Sequence, residues 1–145
     1  MPERETVERA REDAAEGKSP STQAGEFVRE EMHHIREGKH GAASTKQAIA
    51  IGLSKARRAG VKLPARGSAS TQKKAEQDSR ASRSRRKPSR TRSRATSNAL
   101  KREPRSAASR SSLSRHAKSS AVSRGKRARS VAAKKAAQTR TRRAA

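Results

Sequence analysis

Apolar residues recur at helical spacing only within the first 64 positions of this chain. The clearest pattern covers residues ~20–37, where five apolar residues share one helical face. These residues are Ala24, Phe27, Val28, Met32 and Ile35. Ser19 precedes the pattern as an N-cap, and Pro20, directly after Ser19, occupies the first helical position. Gly38 stands at the end of the pattern. The pattern therefore predicts an amphipathic helix over residues ~20–37.

A second helix is predicted over residues ~45–59. Ser44 and Gln47 have the spacing of a capping box, in which the serine hydroxyl accepts from the later backbone N–H and the glutamine side chain reaches back. The main apolar line of this helix consists of Ile49, Leu53 and Ala56. Small residues beside that line, among them Gly52, would let another helix approach closely. The cations Lys55, Arg57 and Arg58 lie mostly off the line, so we expect them to stay solvated.

A third and weaker helix is predicted at the N-terminus, over residues ~2–16. Its apolar stripe consists of Val7, Ala10 and Ala14. This stripe buries little surface, so we expect a helix that frays or that forms only against a partner. The short loop 38–43 makes the other two helices a helical pair. The pattern thus divides the N-terminal part into a charged helix, residues 1–18, and a small helical-pair domain, residues 19–64, and it predicts no β-sheet.

The remaining residues, 65–145, have a different composition. Only four large apolar residues occur in these 81 positions, namely Leu100, Leu113, Val122 and Val131. Serine, arginine, alanine, lysine and threonine dominate, and a chain this polar and charged cannot repay the entropy of ordering by burying apolar surface. We therefore expect a disordered, low-complexity basic tail, and a protein that is mostly disordered with a small all-α N-terminal part.

The charge of the chain is concentrated in the same region. Up to Pro64 there are 12 Lys/Arg against 10 Asp/Glu, whereas from Ala65 onward there are 26 against 3. A polycationic arm indicates a polyanionic partner, because each cation placed against a phosphate releases a condensed counterion. Arginine can also bind a phosphate through two N–H donors. The candidate nucleic-acid-binding residues are Arg83, Arg85, Arg86, Lys87, Arg90, Arg92, Arg94, Lys126, Arg127, Arg129, Lys134, Lys135, Arg140, Arg142 and Arg143.

Three stretches of the N-terminal part carry a family resemblance. They read STQAGEFVREE over residues 21–31, HIREGKHG over 34–41 and STKQAIAIGLSKARRAG over 44–60. Together they resemble a small bacterial helical domain family of unknown function. The resemblance implies no catalytic activity. Members of that family commonly carry histone-like basic extensions, so the resemblance also implies a DNA-associated role. The heavy use of arginine and serine in this tail, in place of lysine, leaves open whether DNA or RNA is bound.

Histidines and carboxylates of the predicted helix ~20–37 are the only candidates for metal chemistry. The pairs Glu30/His34 and His33/Glu37 have i,i+4 spacing, and His40 lies nearby. The chain has no cysteine, and no two histidines stand four apart on one face, so we expect these to be surface residues without a metal site. No nucleophile triad or Gly-rich phosphate loop is present. The sequence therefore predicts a protein that is not an enzyme and that has no cofactor or small-molecule substrate.

The leading hypothesis is sequence-independent binding of DNA by a histone-like, nucleoid-associated accessory protein of the cytoplasm. The longest apolar run, residues 48–53, is far shorter than the ~20 residues that span a bilayer, so we expect no transmembrane segment. Residues 19–64 could self-associate or bind a protein partner. Two alternatives stay open, namely an RNA-associated Ser/Arg-rich protein regulated by phosphorylation, and a protein-interaction module whose tail acts electrostatically on anionic membranes.

Overall fold

The structure is a computed structural model that describes residues 2–84 and 89–144. Six α-helices occur in these ranges: α1 (Arg4–Ala15), α2 (Pro20–Arg36), α3 (Thr45–Arg58), α4 (Ala69–Ala81), α5 (Arg90–Arg102) and α6 (Arg110–Ala144). A short 3₁₀ helix, Arg105–Ala108, precedes α6. The described ranges contain no β-strand. The chain divides into two units, residues 1–109 and residues 110–145.

The first three helices lie where the apolar pattern predicts them, and the N-caps of α2 and α3 use the expected side chains. The Ser19 hydroxyl accepts a hydrogen bond from the Thr22 N–H at 3.4 Å at the start of α2. The Ser44 hydroxyl accepts from the Gln47 N–H at 3.2 Å at the start of α3. The return bond differs from an ideal capping box, because Gln47 Oε1 accepts from the N–H of Ala43 at 2.7 Å.

Helices α2 and α3 form the centre of the first unit. The side chains of Phe27 and Ile35 on α2 are fully buried, as are those of Ala48 and Ala56 on α3. A Cβ atom on Gly52 would lie 2.8 Å from Cα of Val28, so this glycine lets the two backbones approach closely. Helix α1 packs on α2, where Ala10 is buried. Helix α2 of the same chain is therefore the partner that the thin apolar stripe of α1 requires.

The prediction that the protein is mostly disordered, with a disordered, low-complexity tail over residues 65–145, is wrong. Helices α4, α5 and α6 occupy most of that region. Low apolar content predicts the absence of a core, but it does not exclude a helix. Alanine, arginine, lysine and glutamine have high intrinsic helix propensity, and a helix satisfies its interior backbone hydrogen bonds within its own segment.

Helix α4 packs against α3 through a buried carboxylate. Asp78 is 1% exposed and accepts hydrogen bonds from the Ser54 hydroxyl at 2.7 Å and from Arg58 Nε at 2.9 Å. Lys74, one turn earlier on α4, lies 3.3 Å from the same carboxylate. The side chain of Arg58 stays exposed, as expected, although its guanidinium also pairs with this carboxylate from outside the predicted helical pair.

The segment 100–108 is held against the α2–α3 connection, mainly through its backbone. Four hydrogen bonds make this contact: Gly41 N–H to Leu100 O at 2.8 Å, Ala42 N–H to Pro104 O at 3.1 Å, the Thr45 hydroxyl to Ala107 O at 2.7 Å, and Arg36 Nε to Ala108 O at 3.0 Å. Ala107 and Ala108 are buried in this contact. We call these residues the docked segment.

Acidification should weaken the packing of α4 on α3. Burial alone would raise the pKa of Asp78, but the hydrogen bonds from Ser54 and Arg58 hold that pKa below its usual value. The stabilisation is therefore present above the ordinary aspartate pKa of ~3.9 and is lost as the pH falls through the lower folded-state pKa. We expect the difference in melting temperature between the wild type and Asp78→Asn to be largest near neutral pH and to shrink below about pH 4.

Glu76→Gln is the matched control for that measurement, because Glu76 lies on the same helix with an exposed side chain. Its melting temperature should follow the wild type at every pH. A difference between wild type and Asp78→Asn that stayed constant down to pH ~2 would contradict this account of α4.

Candidate functional site

The predicted nucleic-acid-binding residues fall in three described places. Arg83 is exposed just after α4, and Arg90, Arg92 and Arg94 are exposed in the first part of α5. The others belong to α6, and those with described side chains are exposed: Lys126, Arg127, Arg129, Lys134, Lys135, Arg140 and Arg142. Arg143 also belongs to α6. Arg85, Arg86 and Lys87 lie outside the described residues.

Helix α6 has cations on all of its sides. At 100° per residue, Lys126, Arg127 and Arg129 point in three different directions within one turn. Gly125 interrupts the helix with φ +75° and ψ 166°, a conformation that is essentially restricted to glycine. Residues 110–144 contain 12 Lys/Arg and no Asp/Glu. No cation of α6 can therefore pair with a carboxylate of its own helix.

Helices α2 and α3 enclose a second group of charged residues, which we call the buried polar cluster. It is centred on Glu30, Glu31 and Lys55, whose side chains are 2%, 1% and 20% exposed. Lys55 Nζ lies 3.0 Å from Glu30 Oε1 and 2.7 Å from Glu31 Oε2. The backbone N–H of Glu3, just before α1, donates to Glu30 Oε2 at 3.0 Å. The cluster therefore connects all three N-terminal helices.

The contacts within this cluster favour the charged forms of Glu30 and Lys55. Burial alone would raise the pKa of Glu30, but hydrogen bonds from Lys55 and from the backbone of Glu3 hold that pKa below its usual value. Burial would lower the pKa of Lys55, but its contacts with the carboxylates of Glu31 and Glu30 hold that pKa above its usual value. The expectation that Lys55 stays solvated is therefore wrong.

Two histidines border the cluster. His34 Nε2 lies 2.8 Å from Glu3 Oε1, and His40 Nε2 lies 3.2 Å from Glu31 Oε1. The two rings meet edge to face, with centroids 6.0 Å apart. The side chains of His34 and His40 are only 13% and 16% exposed, whereas His33 is exposed. The expectation that all three are surface residues therefore fits only His33.

A sequence signal for this cluster is present but is not captured by apolar periodicity. Glu31 stands four residues after Phe27 and four before Ile35, so it belongs to the buried stripe of α2. Lys55 stands three residues after Gly52 on the face of α3 that approaches α2. An acid and a base that interrupt the facing stripes of two paired helices indicate a buried ion pair.

The helical pair also carries a similarity to a known family. Residues 20–67 match the model of a family of unknown function, DUF6496. Comparisons with curated proteins and with solved structures give no significant match. The resemblance deduced for residues ~19–64 is thus confirmed as a domain of unknown function. Within the described residues, no helix has the length and apolar character required to cross a membrane.

Proposed function

We propose that this protein binds nucleic acid, chiefly duplex DNA, without sequence preference, through the cations of α5 and α6. One observation carries the proposal: α6 contains 12 Lys/Arg and no Asp/Glu, and all of its cations with described side chains are exposed. A helix of this charge repels itself, and a polyanion would remove that repulsion. Residues 1–109 would then serve as a folded unit that carries the cationic helix.

The spacing of charge along α6 matches that of a phosphate backbone. Residues 126–144 contain eight Lys/Arg over a helical length of about 28 Å, which is roughly one cation per 3.6 Å. A single DNA strand carries one phosphate per ~3.4 Å. The axial charge density of the helix is therefore close to that of a strand, and each cation on the side that faces the strand would release a counterion.

The arrangement of side chains supports backbone binding over base recognition. A recognition helix presents one face to a groove, whereas the cations of α6 lie on all sides. The single aromatic residue of Phe, Trp and Tyr type is Phe27, which is buried, so no such ring is left to stack on an unpaired base. These features support a histone-like, nucleoid-associated role in the cytoplasm, with DNA favoured over single-stranded RNA.

The test neutralises four cations of α6 in the full chain, by the substitutions Lys134→Gln, Lys135→Gln, Arg140→Gln and Arg142→Gln. Each phosphate contact contributes about 0.9 to the slope of log affinity against log salt, so the slope should fall by up to ~3.6. Fluorescence anisotropy with duplexes of two unrelated sequences, over a series of salt concentrations, measures this slope. Both sequences should give the same result.

The matched control removes the same charge from the first unit, by the substitutions Arg11→Gln, Lys46→Gln, Lys62→Gln and Arg66→Gln. These four cations are exposed, and their loss should change the slope by less than one unit. Equal effects of the two variants would show that only the total charge matters. Tighter binding to single-stranded RNA, or to anionic vesicles, than to duplex DNA at equal salt would replace the proposal with one of the two alternatives.

A further inference from the structure

Three potential metal ligands converge at the end of α2. Glu31 and His34 lie one helical turn apart on α2, and His40 comes from the loop that follows. One ligand atom from each of these residues lies within 4.8 Å of the other two. This set differs from the i,i+4 pairs that the sequence indicates, because helix α2 ends at Arg36 and the loop brings His40 back to Glu31. We propose that Glu31, His34 and His40 bind a Zn²⁺ ion.

The hydrogen-bond partners of the two histidines leave each ring with a nitrogen available to a metal. His40 Nδ1 lies 3.0 Å from the carbonyl oxygen of Gly41, which can only accept, so this nitrogen carries the proton. In the neutral ring, the lone pair of Nε2 then faces Glu31 Oε1 at 3.2 Å. Two lone pairs at this distance repel each other unless a cation lies between them.

His34 follows the same rule. Its Nε2 lies 2.8 Å from the carboxylate of Glu3, which holds the proton on that nitrogen and leaves Nδ1 with the lone pair. A ring N–H that donates to a carbonyl or a carboxylate is the usual support of a metal-binding histidine, since it fixes both the tautomer and the orientation of the ring. Both rings of the proposed site have such a partner.

The carboxylate of Glu31 is buried, and one of its oxygens has no hydrogen-bond donor among the described residues. Its side chain is 1% exposed, and Oε2 accepts no hydrogen bond from the described residues. Lys55 Nζ lies 2.7 Å from Oε2, but this contact is not aligned as a hydrogen bond. The ammonium group donates instead to Glu30 Oε1 at 3.0 Å. Because Lys55 is next to Oε2, whereas Oε1 of Glu31 lies 3.2 Å from His40 Nε2, Oε1 is the oxygen that would bind the metal.

The identity of the ligands selects the metal. Two imidazoles and one carboxylate are a ligand set of Zn²⁺ sites that leave a fourth position open. Metal–ligand distances of about 2.0–2.2 Å in a tetrahedron place neighbouring ligand atoms roughly 3.3 Å apart, which matches the 3.2 Å between His40 Nε2 and Glu31 Oε1. Ca²⁺ and Mg²⁺ prefer oxygen ligands and would bind poorly to two imidazoles.

The test uses the full chain without an affinity tag, first treated with a chelator, and titrates it with Co²⁺ as a visible probe for the Zn²⁺ site. We expect one equivalent of Co²⁺ to give the absorption bands of tetrahedral coordination, and Zn²⁺ to abolish them by displacement. His40→Gln should weaken binding by at least ~100-fold, because even outer partners of a metal site change affinity by 10–100-fold. His33→Gln, which alters an exposed histidine of the same helix, should bind as the wild type.

His40 lies in a loop, so circular dichroism can establish that the His40→Gln variant keeps its helices. As a second measurement, one equivalent of Zn²⁺ should raise the melting temperature of the wild type and leave that of His40→Gln unchanged. The proposal is overturned if Co²⁺ gives no tetrahedral bands, if binding survives in His40→Gln, or if His33→Gln loses it equally.

Discussion

Replacing Lys55 by methionine should destabilise the first unit by about 3–5 kcal/mol, the usual cost of removing one partner from a buried ion pair. Lys55 contacts two carboxylates, and the side chains of Glu30 and Glu31 are 2% and 1% exposed. Without the ammonium group, both would be left in a space from which water is excluded. Methionine nearly matches lysine in length, so the loss of charge, rather than of volume, dominates the effect.

Chemical denaturation of chelator-treated protein, followed by circular dichroism, measures this loss of stability. Lys46→Met is the control, because Lys46 lies on the same helix with an exposed side chain, and we expect a change within ~0.5 kcal/mol. Adding Glu31→Gln to Lys55→Met should recover part of the loss, since one uncompensated charge is removed. If Lys55→Met and Lys46→Met were equally stable, the ion pair would contribute nothing to the fold.

The sequence predicts the helical pair well because the capping residues and the apolar faces indicate the same two helices. Ser19 and Ser44 cap helices whose apolar faces then meet, and Gly52 marks the point of closest approach to α2. The buried polar cluster escapes the same procedure because a periodicity of apolar residues treats Glu31 and Lys55 as solvated. Each charge is tolerated in the interior only because the other faces it, and that pairing exists only once α2 and α3 have associated.

The prediction of a disordered C-terminal half is wrong for a different reason. Net charge and low hydropathy measure how much core a chain can build, whereas α5 and α6 need no core to satisfy their backbone groups. Alanine-rich stretches such as residues 132–137 have high helix propensity, and they lie within α6. In α4 a single buried alanine, Ala75, and the carboxylate of Asp78 are sufficient for packing against α3.

The docked segment could not be predicted from side-chain patterns. Two of its four hydrogen bonds join backbone to backbone. Because every residue except proline has the same backbone N–H and C=O groups, such bonds cannot be predicted from residue type. The backbone approach itself requires a glycine at Gly41. A Cβ atom at this position would lie 1.8 Å from the carbonyl oxygen of Glu103 and 2.8 Å from that of Pro104. Only glycine allows the segment to approach this closely.

Gly41→Val should therefore release the docked segment while leaving α1, α2 and α3 folded. We expect the amide of Ala42 to exchange with solvent about tenfold faster, because losing one or two hydrogen bonds of ~0.5–1.5 kcal/mol each corresponds to a factor of that order. Trypsin should also cut faster after Arg102 and Arg105, which lie within the docked segment. Hydrogen exchange and timed proteolysis, both read by mass spectrometry, measure these changes.

Gly25→Ala is the control for the docked segment, because a Cβ atom at Gly25 would meet nothing within 4 Å. This glycine lies inside α2, so alanine should leave the docked segment unchanged and stabilise the helix by ~0.5–1 kcal/mol. Unchanged exchange at Ala42 in Gly41→Val would mean that the segment 100–108 is not held at the α2–α3 connection.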